Sequence, residues 1–255
     1  MNQPKFRLFA GPNGSGKSTL IQAISNDFHL GSFINADQIE YELTKSKFID
    51  LTKTFGKLNF TVKDWKDFLN EYQQEDSRAN TIDFTVLDIQ EEVLVWKSSI
   101  TSYAASIIAS FLRYRMIQQM VSFSFETVMS HHSKVDFITK AQKSGFKTYL
   151  YFICTDDPII NIQRVKNRKA MGGHDVDPKL IESRYFRSLE NLQDAFLKVD
   201  RAFVIDSSNR NRNLILEKNG NTVLNHSELI PGWVNKYLLE KLDWDGASPR
   251  SLSSL

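Results

Sequence analysis

Short apolar runs alternate along this chain with segments whose apolar residues recur at the spacing of a helix. The clearest strand is Thr148–Cys154 (TYLYFIC), and the clearest helix is Ser99–Met120, in which Ile107, Phe111 and Leu112 share one face. Further strands are predicted at Phe6–Ala10, Ser32–Asn35, Val121–Phe125 and Ala202–Ile205, and further helices at Lys17–Phe28, Lys134–Ser144, Pro158–Lys169 and Pro178–Phe196. This alternation is typical of an α/β protein.

The order of these elements predicts a three-layer sandwich. Strands that are separated by helices pair in parallel through right-handed crossovers, so about five strands form a sheet with helices on both faces. Asn219-Gly220-Asn221 separates the apolar runs Leu214–Lys218 and Thr222–Leu224 and predicts a C-terminal hairpin. Ligands of such sheets bind beyond the carboxyl ends of the strands. The residues that follow each strand are therefore the candidates for chemistry.

One long segment departs from this alternation. At residues 48–98 the apolar side chains, Trp65 and Phe68 among them, have helical spacing, and a polar stretch follows them. We interpret this segment as a mostly helical insertion in a single domain that spans residues 1–244. The Ser-rich end, residues 245–255, is expected to be disordered.

Composition and charge exclude some classes of protein. Of 255 residues, 32 are Lys or Arg and 30 are Asp or Glu, and the resulting net charge of +2 argues against binding nucleic acid or an anionic membrane through bulk charge. The single cysteine, Cys154, cannot form an intrachain disulfide, and no apolar run approaches the ~20 residues of a membrane span. A soluble, cytoplasmic protein is therefore expected.

The strongest motif is GPNGSGKS at Gly11–Ser18, between the first predicted strand and the first predicted helix. It has the form G-x-x-x-x-G-K-S of a phosphate-binding loop, in the strand-to-helix context that this loop requires. Its glycines let backbone N–H groups wrap a phosphate, while Lys17 can reach the β- and γ-phosphates and Ser18 can bind Mg²⁺. The residues predicted to bind ATP are Gly11, Pro12, Asn13, Gly14, Ser15, Gly16, Lys17, Ser18 and Thr19. The sequence lacks the N/T-K-x-D motif that reads guanine, which disfavours a switch-type GTPase.

Asp37 follows the second predicted strand, and this position at the carboxyl end of a strand is expected to place it near the γ-phosphate side of the site. A carboxylate there can accept the proton of an attacking hydroxyl group. The alternative is that Asp37 only caps the helix that starts at Gln38. Position alone does not separate these two roles.

Two further acids compete for the role of metal or substrate ligand. Glu126 and Thr127 follow the strand Val121–Phe125, where an acid can hold Mg²⁺ or the acceptor substrate, unless Glu126 is simply a solvated loop residue. Asp88, after the apolar run Phe84–Leu87, is a weaker alternative metal ligand inside the insertion.

A local basic cluster follows the strand that ends at Cys154. Arg164 and Arg168 are four residues apart and therefore share one face of a helix. Met171-Gly-Gly-His174 follows, and glycines between two basic helices favour a mobile lid whose arginines stabilise a transferring phosphoryl group. The alternative is an exposed basic face with surface ion pairs.

These motifs, in this order, resemble those of the zeta-toxin family of P-loop kinases. The matching pieces are FAGPNGSGKSTL (Phe9–Leu20), INADQI (Ile34–Ile39), FETVMS (Phe125–Ser130), GGHDV (Gly172–Val176) and RYFRSLENL (Arg184–Leu192). The matched blocks cover about two thirds of the chain. The sequence departs from the family at Asp177, which stands between the GGHDV motif and Pro178, where the family usually has the proline directly after the motif. It also departs in the insertion, for which we find no counterpart in the family.

The resemblance implies a P-loop NTPase-type fold and an ATP- and Mg²⁺-dependent kinase that phosphorylates a hydroxyl of a small molecule. In the best-known members of the family this acceptor is a UDP-activated amino sugar, and a helical antitoxin blocks the ATP site. By matching position, the resemblance implies that Lys17 and Ser18 bind ATP and Mg²⁺ and that Asp37 is the base. Arg164 and Arg168 would stabilise the charge on the phosphates. Glu126, Thr127 and His174 would bind the substrate, and Glu126 would also bind the metal ion.

Two other functions stay open at this point. A nucleotide-binding partner protein with little kinase activity would keep the phosphate loop and use its occupancy as a signal. A polynucleotide 5′-hydroxyl kinase would need a local basic groove, because the net charge of the chain is near zero.

Overall fold

The apolar run near the start of the chain forms a strand that is buried on both sides. Every residue from Phe6 to Ala10 is buried, and Phe6, Leu8 and Phe9 have no exposed surface. Because successive side chains of a strand point to opposite faces, such a strand must be covered on both faces of its sheet. The three-layer arrangement predicted from the sequence has this property.

The computed structural model describes residues 3–56, 58–172, 176–246 and 249–252. The chain forms two compact units, one of Met1–His29 with Phe125–Leu255 and the other of Leu30–Ser124. The single domain expected for residues 1–244 stays a prediction. Across the described ranges, none of the helices has both the length and the apolar character to cross a membrane.

Strands and helices are numbered here along the chain. The strands are β1 (Lys5–Ala10), β2 (Ser32–Ile34), β3 (Phe48–Asp50), β4 (Leu87–Gln90), β5 (Val93–Trp96), β6 (Phe123–Thr127), β7 (Lys147–Cys154), β8 (Arg201–Asp206), β9 (Asn213–Asn219), β10 (Thr222–Asn225) and β11 (Arg250–Ser251). The helices are α1 (Lys17–Asp27), α2 (Ala36–Ser46), α3 (Leu51–Phe55), α4 (Val62–Glu75), α5 (Ser102–Gln118), α6 (Ser133–Lys143), α7 (Pro158–Ala170), α8 (Pro178–Glu190), α9 (Leu192–Lys198) and α10 (Gly232–Val234). Helix α10 continues as a π-helical turn (Asn235–Leu239) and a 3₁₀ turn (Glu240–Leu242), and two more 3₁₀ turns are Ser77–Thr81 and Phe84–Val86.

The first unit is built on a mixed sheet. Its strands lie in the order β11-β10-β9-β8-β7-β1-β6. Strand β7 pairs in parallel with β1 and with β8, so that Leu150 stands opposite both Leu8 and Ala202. Strands β8 to β11 pair antiparallel, and β9 with β10 is the hairpin predicted around Gly220. The predicted α/β fold class, with a parallel core and a C-terminal hairpin, is confirmed.

Helices α7 and α8 begin where the sequence predicts them, for a reason visible in their first turns. Each opens with a proline after an aspartate cap, Asp157 for α7 and Asp177 for α8. Asp157 accepts a hydrogen bond from the Ile159 N–H at 2.7 Å, and Asp177 accepts one from the Lys179 N–H at 2.9 Å. The caps fix the starting points of the two helices, of which α7 carries Arg164 and Arg168.

The second unit combines helices with a small antiparallel sheet. Strands β3, β5 and β4 pair in that order. Helix α4 begins with a capping box in which Thr61 and Asp64 satisfy each other's backbone N–H groups. The Trp65 ring packs 5.4 Å from the Phe84 ring and 5.1 Å from the Phe111 ring, between ring centroids. This aromatic cluster forms part of the core of the unit.

The insertion at residues 48–98 contains more helix than strand, as expected, but it also contains a small sheet that the sequence did not predict. Helices α3 and α4 lie in it, but so do all three strands of the small sheet. Each of these strands has only three or four residues, which is too short for an alternating pattern to stand out in the sequence.

Two smaller predictions also need correction. The helix predicted for Pro178–Phe196 is broken at Asn191, whose side chain donates to the Met129 and Arg187 carbonyl oxygens and so competes with the helix backbone. The tail expected to be disordered contributes β11, which pairs with β10, and the Leu252 N–H donates to the Asn221 carbonyl at 2.7 Å.

Candidate active site

The phosphate loop connects β1 to α1, as predicted. Gly11, Gly14 and Gly16 have φ angles of +141°, +76° and +92°, which favour glycine. A Cβ atom on Gly11 would lie 1.9 Å from the Ile153 carbonyl oxygen, and one on Gly14 would lie 2.5 Å from the Asn161 carbonyl oxygen. Glycine is therefore required at positions 11 and 14, because neighbouring backbone packs directly against the loop.

Lys17, the first residue of α1, folds its side chain back over the loop. Its Nζ donates to the carbonyl oxygens of Gly11 and Pro12 at 2.9 and 2.8 Å and lies 3.7 Å from Glu126 Oε1. Burial lowers the pKa of Lys17, the Glu126 carboxylate opposes this shift, and the positive charge of Arg168 lowers the pKa further. Arg168 is thus near enough to the loop for its charge to act on Lys17.

Glu126 is the acidic residue that the structure brings to the loop. With Thr127 it forms the last two residues of β6, whereas the sequence placed both just after the strand. Glu126 Oε2 accepts a hydrogen bond from Ser18 Oγ at 3.2 Å, and the other carboxylate oxygen faces Lys17. Thr127 instead accepts a hydrogen bond from the Met129 N–H at 3.0 Å, within the turn that follows the strand. Glu126 therefore faces the phosphate loop, whereas Thr127 is bonded within the turn after β6.

The loop has features that fit a nucleotide phosphate with its metal ion. Asn13 Oδ1 and Ser15 Oγ are buried and have no hydrogen-bond partner within the described residues, a condition that is rare in folded proteins. Of these two atoms, only the Ser15 hydroxyl can donate a hydrogen bond to a phosphate oxygen, because an amide oxygen only accepts. Ser18 and Glu126 offer the oxygen ligands that Mg²⁺ prefers. In the described ranges no group of three or more His, Cys, Asp or Glu side chains could hold a metal ion by itself. A Mg²⁺ ion at this loop would therefore take further ligands from the nucleotide.

Arg164 and Arg168 have different surroundings although they share a helix face. The Arg164 guanidinium is partly buried and donates to the Ser207 carbonyl oxygen at 2.7 Å and to Ser207 Oγ at 3.4 Å. Arg168 lies one turn further on and acts on the loop lysine through its charge. Arg164 therefore anchors the segment after β8, and a contact of either arginine with phosphate stays a prediction.

Asp37 lies in the second unit, in the first turn of α2. The cap of this helix is Asn35, whose Oδ1 accepts hydrogen bonds from the N–H groups of Asp37 at 2.8 Å and Gln38 at 3.3 Å. The alternative interpretation of Asp37 as the cap is therefore wrong. In the part of the chain that the structure describes, the exposed Asp37 carboxylate accepts no hydrogen bond and forms no ion pair. Its role as the base stays a prediction.

The remaining candidates contribute less. Asp88 lies in β4 of the small sheet, and its Oδ2 accepts hydrogen bonds from Lys97 Nζ at 2.9 Å and Gln90 Nε2 at 3.1 Å. The bond from Lys97 lowers the pKa of Asp88. Its carboxylate is thus already paired with Lys97, and its strand belongs to a different sheet from β1, which leads into the phosphate loop. His174 lies outside the described residues.

Two residues that hold the loop from outside were not identified from the sequence. Asn161, fully buried in α7, donates from Nδ2 to the Asn13 carbonyl oxygen at 2.6 Å. Ser207, just after β8, donates from Oγ to the Ser15 carbonyl oxygen at 2.6 Å. No motif marks Asn161, and the only signal for Ser207 is its position after a strand.

A cavity of about 880 Å³ lies at the carboxyl ends of β7 and β8. Asp156, Asp206, Ser208 and Arg212 line it, together with residues 226–232. Asp206 is buried and accepts hydrogen bonds from Ser208 Oγ at 2.7 Å and Trp233 Nε1 at 3.2 Å. The cavity has the volume of a small-molecule site and lies where this class of sheet binds ligands.

Comparison with known proteins gives little at the level of sequence. No family model matches the chain. An uncharacterized protein of Haemophilus influenzae is 30% identical over 69 residues, which are 27% of this chain and 49% of that protein. The chain thus spans about half the length of this curated relative.

Comparison of structures gives clearer likenesses at low identity. A chain of the AvrRxo1-ORF1:-ORF2 complex has a TM-score of 0.53 and 14% identity over 89% of this chain and 62% of its own length. The same complex with ATP gives a TM-score of 0.52 and 15% identity over 96% and 65%, so this chain spans less than two thirds of those chains. A structure from the PezAT chromosomal toxin–antitoxin system of Streptococcus pneumoniae has a TM-score of 0.50 and 12% identity over 84% of this chain and 72% of its own length. Together with the sheet and the phosphate loop, these likenesses identify the α/β fold of this chain as zeta-toxin-like.

Proposed function

We propose that this protein is an ATP-dependent kinase that transfers the γ-phosphoryl group of ATP to a hydroxyl of a small molecule. The observation that carries the proposal is the convergence of Lys17 Nζ and Ser18 Oγ, from the start of α1, on the carboxylate of Glu126 at the end of β6. A phosphate-binding lysine, a metal-binding hydroxyl and an acid are the parts that phosphoryl transfer needs.

The loop and its lysine would bind the phosphates. Lys17 is held by the carbonyl oxygens of Gly11 and Pro12, and it can exchange these neutral acceptors for the stronger, charged oxygens of a phosphate. Ser18 and Glu126 would hold Mg²⁺, which when bound neutralises charge on the phosphates. The cavity beside Ser208 would receive the nucleoside, because Ser207, the preceding residue, already contacts the loop through Ser15.

In the transfer step, the acceptor oxygen forms a bond to the γ-phosphorus while the bond from that phosphorus to the β–γ bridging oxygen breaks. ADP leaves with the bridging oxygen, and Asp37 accepts the proton of the acceptor hydroxyl. We propose that Arg168 stabilises the negative charge that develops on the phosphoryl oxygens, because its positive charge already lowers the pKa of Lys17 in the loop. We propose that Arg164 adds its charge to that of Arg168 while its guanidinium also donates to the Ser207 carbonyl oxygen.

The resemblance to zeta toxins supports a finer proposal for the acceptor and the partner. The acceptor would be a UDP-activated sugar, bound with the help of Glu126, Thr127 and His174, and a helical antitoxin would cover the ATP site. One neighbour in fold comes from a toxin–antitoxin system and another is a complex with ATP, which supports this direction. We also propose that the two compact units act as one kinase domain in the cytoplasm.

A direct test follows metabolites by mass spectrometry. A cell lysate with ATP and Mg²⁺ is treated with the wild type, with Lys17→Ala, or with Lys143→Ala as a control that removes an exposed lysine of α6. New phosphorylated small molecules are expected with the wild type and Lys143→Ala and not with Lys17→Ala. ATP binding without any new product would favour a regulatory partner protein. Labelling of oligonucleotide 5′ ends alone would favour a polynucleotide kinase.

A further inference from the structure

We infer that Asn161 and Ser207 are positioning residues that aim the phosphate loop. They hold two of its carbonyl groups outward so that the intervening amide N–H groups point to the phosphates. The inference rests on the proposed function, because it assumes that the loop binds a nucleotide. Neither residue belongs to the loop, and they lie 148 and 192 positions further along the chain than the residues they hold.

The orientation of the Asn161 side chain is fixed from two sides. Its Nδ2 donates to the Asn13 carbonyl oxygen at 2.6 Å, and its Oδ1 accepts a hydrogen bond from Thr155 Oγ1. The Thr155 carbonyl oxygen in turn accepts a hydrogen bond from the Tyr185 hydroxyl at 2.7 Å. Asn161 and Thr155 have no exposed surface and Tyr185 only 2%, so water does not compete for these bonds.

Ser207 holds the second carbonyl in a similar way. Its Oγ donates to the Ser15 carbonyl oxygen at 2.6 Å, and its N–H donates to the Cys154 carbonyl at 2.8 Å, which fixes it to the end of β7. Arg164 donates to the Ser207 carbonyl at 2.7 Å. The serine is therefore held by its backbone on both sides. Its hydroxyl makes its shortest hydrogen bond to the loop, at 2.6 Å, while the Cys154 carbonyl oxygen and the Arg164 guanidinium lie further away, at 3.3 and 3.4 Å.

Because the peptide bond is planar, these contacts also set the direction of the neighbouring N–H groups. In a trans peptide the C=O of one residue and the N–H of the next point in opposite directions. When the Asn13 and Ser15 carbonyls are held outward, the N–H groups of Gly14 and Gly16 face the other way. Within the described residues these two N–H groups donate to no backbone carbonyl, whereas the Ser15 N–H between them donates to the Pro12 carbonyl at 3.3 Å. The two free donors are those that a phosphate needs.

The test compares variants by direct binding. Ser207→Ala and Asn161→Ala each remove one outward bond, and Ser207→Thr restores a hydroxyl. Thr148→Val is the matched control, because it removes a buried hydroxyl bonded to Asp200 at 2.8 Å near the opposite end of β7. Calorimetry measures the Kd for ATP with Mg²⁺ and for pyrophosphate, which probes the phosphate cradle alone, and the melting temperature reports stability.

We expect Ser207→Ala and Asn161→Ala to weaken both ligands by at least ~10-fold, the effect of losing about 1.4 kcal/mol of binding. Ser207→Thr keeps the hydroxyl and should bind nearly as tightly as the wild type. Thr148→Val should bind both ligands within ~2-fold of the wild type, although its melting temperature should fall by about as much as those of Ser207→Ala and Asn161→Ala. Affinities equal to that of Thr148→Val, or weakened ATP with unchanged pyrophosphate, would overturn the inference and leave the proposed function intact. A wild type that binds neither ligand would overturn the proposed function and the inference with it.

Discussion

Ser18 Oγ lies 3.2 Å from Glu126 Oε2, while Glu126 Oε1 lies 3.7 Å from Lys17 Nζ. One carboxylate thus contacts both chemically active side chains of the phosphate loop. The contact crosses 108 positions in sequence and joins the start of α1 to the end of β6. The predictions that follow start from this relationship.

Replacing Glu126 by Gln should reduce Mg²⁺-dependent phosphoryl transfer by at least ~10²-fold, because the side chain keeps its size but loses the charge that attracts the ion. The measurement is the initial rate against Mg²⁺ concentration. Glu190→Gln, an exposed glutamate at the end of α8, is the control and should behave as the wild type. A Glu126→Gln rate curve that overlays that of the control would exclude Glu126 from the metal site.

The affinity for ATP should depend on pH through Lys17. Burial lowers the pKa of Lys17, and only the charged form of its side chain attracts phosphate. The affinity for ATP should therefore fall as the pH rises, and this fall should begin at a lower pH than an ordinary lysine would give. In Glu126→Gln the pKa of Lys17 should be lower still, because the opposing carboxylate charge is gone. The fall in affinity should then move to lower pH.

Titration of the Kd for ATP from pH 7 to 10 measures both curves, with circular dichroism as the check that the fold persists. An alkaline fall at the same pH in wild type and Glu126→Gln would mean that the two groups are not coupled in solution.

Asp37→Asn should leave the Kd for ATP within ~2-fold and lower the rate of transfer by at least ~10²-fold, the range for losing a general base. The amide keeps the shape but cannot take the proton from the acceptor. Asp67→Asn, an exposed aspartate of α4 in the same unit, is the matched control and should have no effect. Turnover of Asp37→Asn at the wild-type rate would remove Asp37 from the reaction.

Gly14→Ala should abolish measurable binding of ATP, because its Cβ would lie 2.5 Å from the Asn161 carbonyl oxygen and would push the loop away from it. Gly220→Ala in the hairpin provides the control, since Gly220 also has a positive φ (+57°) but a Cβ atom added there would meet no atom within 4 Å. Both variants carry backbone strain, and only the first carries a collision. Equal ATP affinities in the two variants would show that the collision is relieved without moving the loop.

Thr61→Ala should lower the free energy of unfolding by about 1 kcal/mol, because it removes the hydroxyl that accepts a hydrogen bond from the Asp64 N–H, one half of the capping box that starts α4. Thr61→Ser keeps the hydroxyl and should lose much less. Urea denaturation followed by circular dichroism gives both values. If the two variants were equally destabilised, the lost methyl group would explain the effect better than the cap.

The sequence alone predicted the elements whose causes are local. The alternation of strands and helices, the phosphate loop at Gly11–Ser18 and the starts of α7 and α8 all depend on residues that are neighbours in the chain. Glycine conformations, helix caps and hydrophobic period act over a few residues, so they can be recognised without tertiary structure. The fold class followed from the same local information.

Only the tertiary structure decided which distant groups meet. It brought Glu126 to Ser18 and Asn161 and Ser207 to the back of the loop, and it turned Arg164 towards Ser207. It also assembled the small sheet in the insertion from strands of three or four residues. Such contacts arise from the packing of strands and helices far apart in the sequence, and no local pattern records them. The sequence therefore determined the chemical groups of the phosphate loop. The fold determined that Asn161 and Ser207 bond its carbonyl groups and that Glu126 faces Lys17 and Ser18.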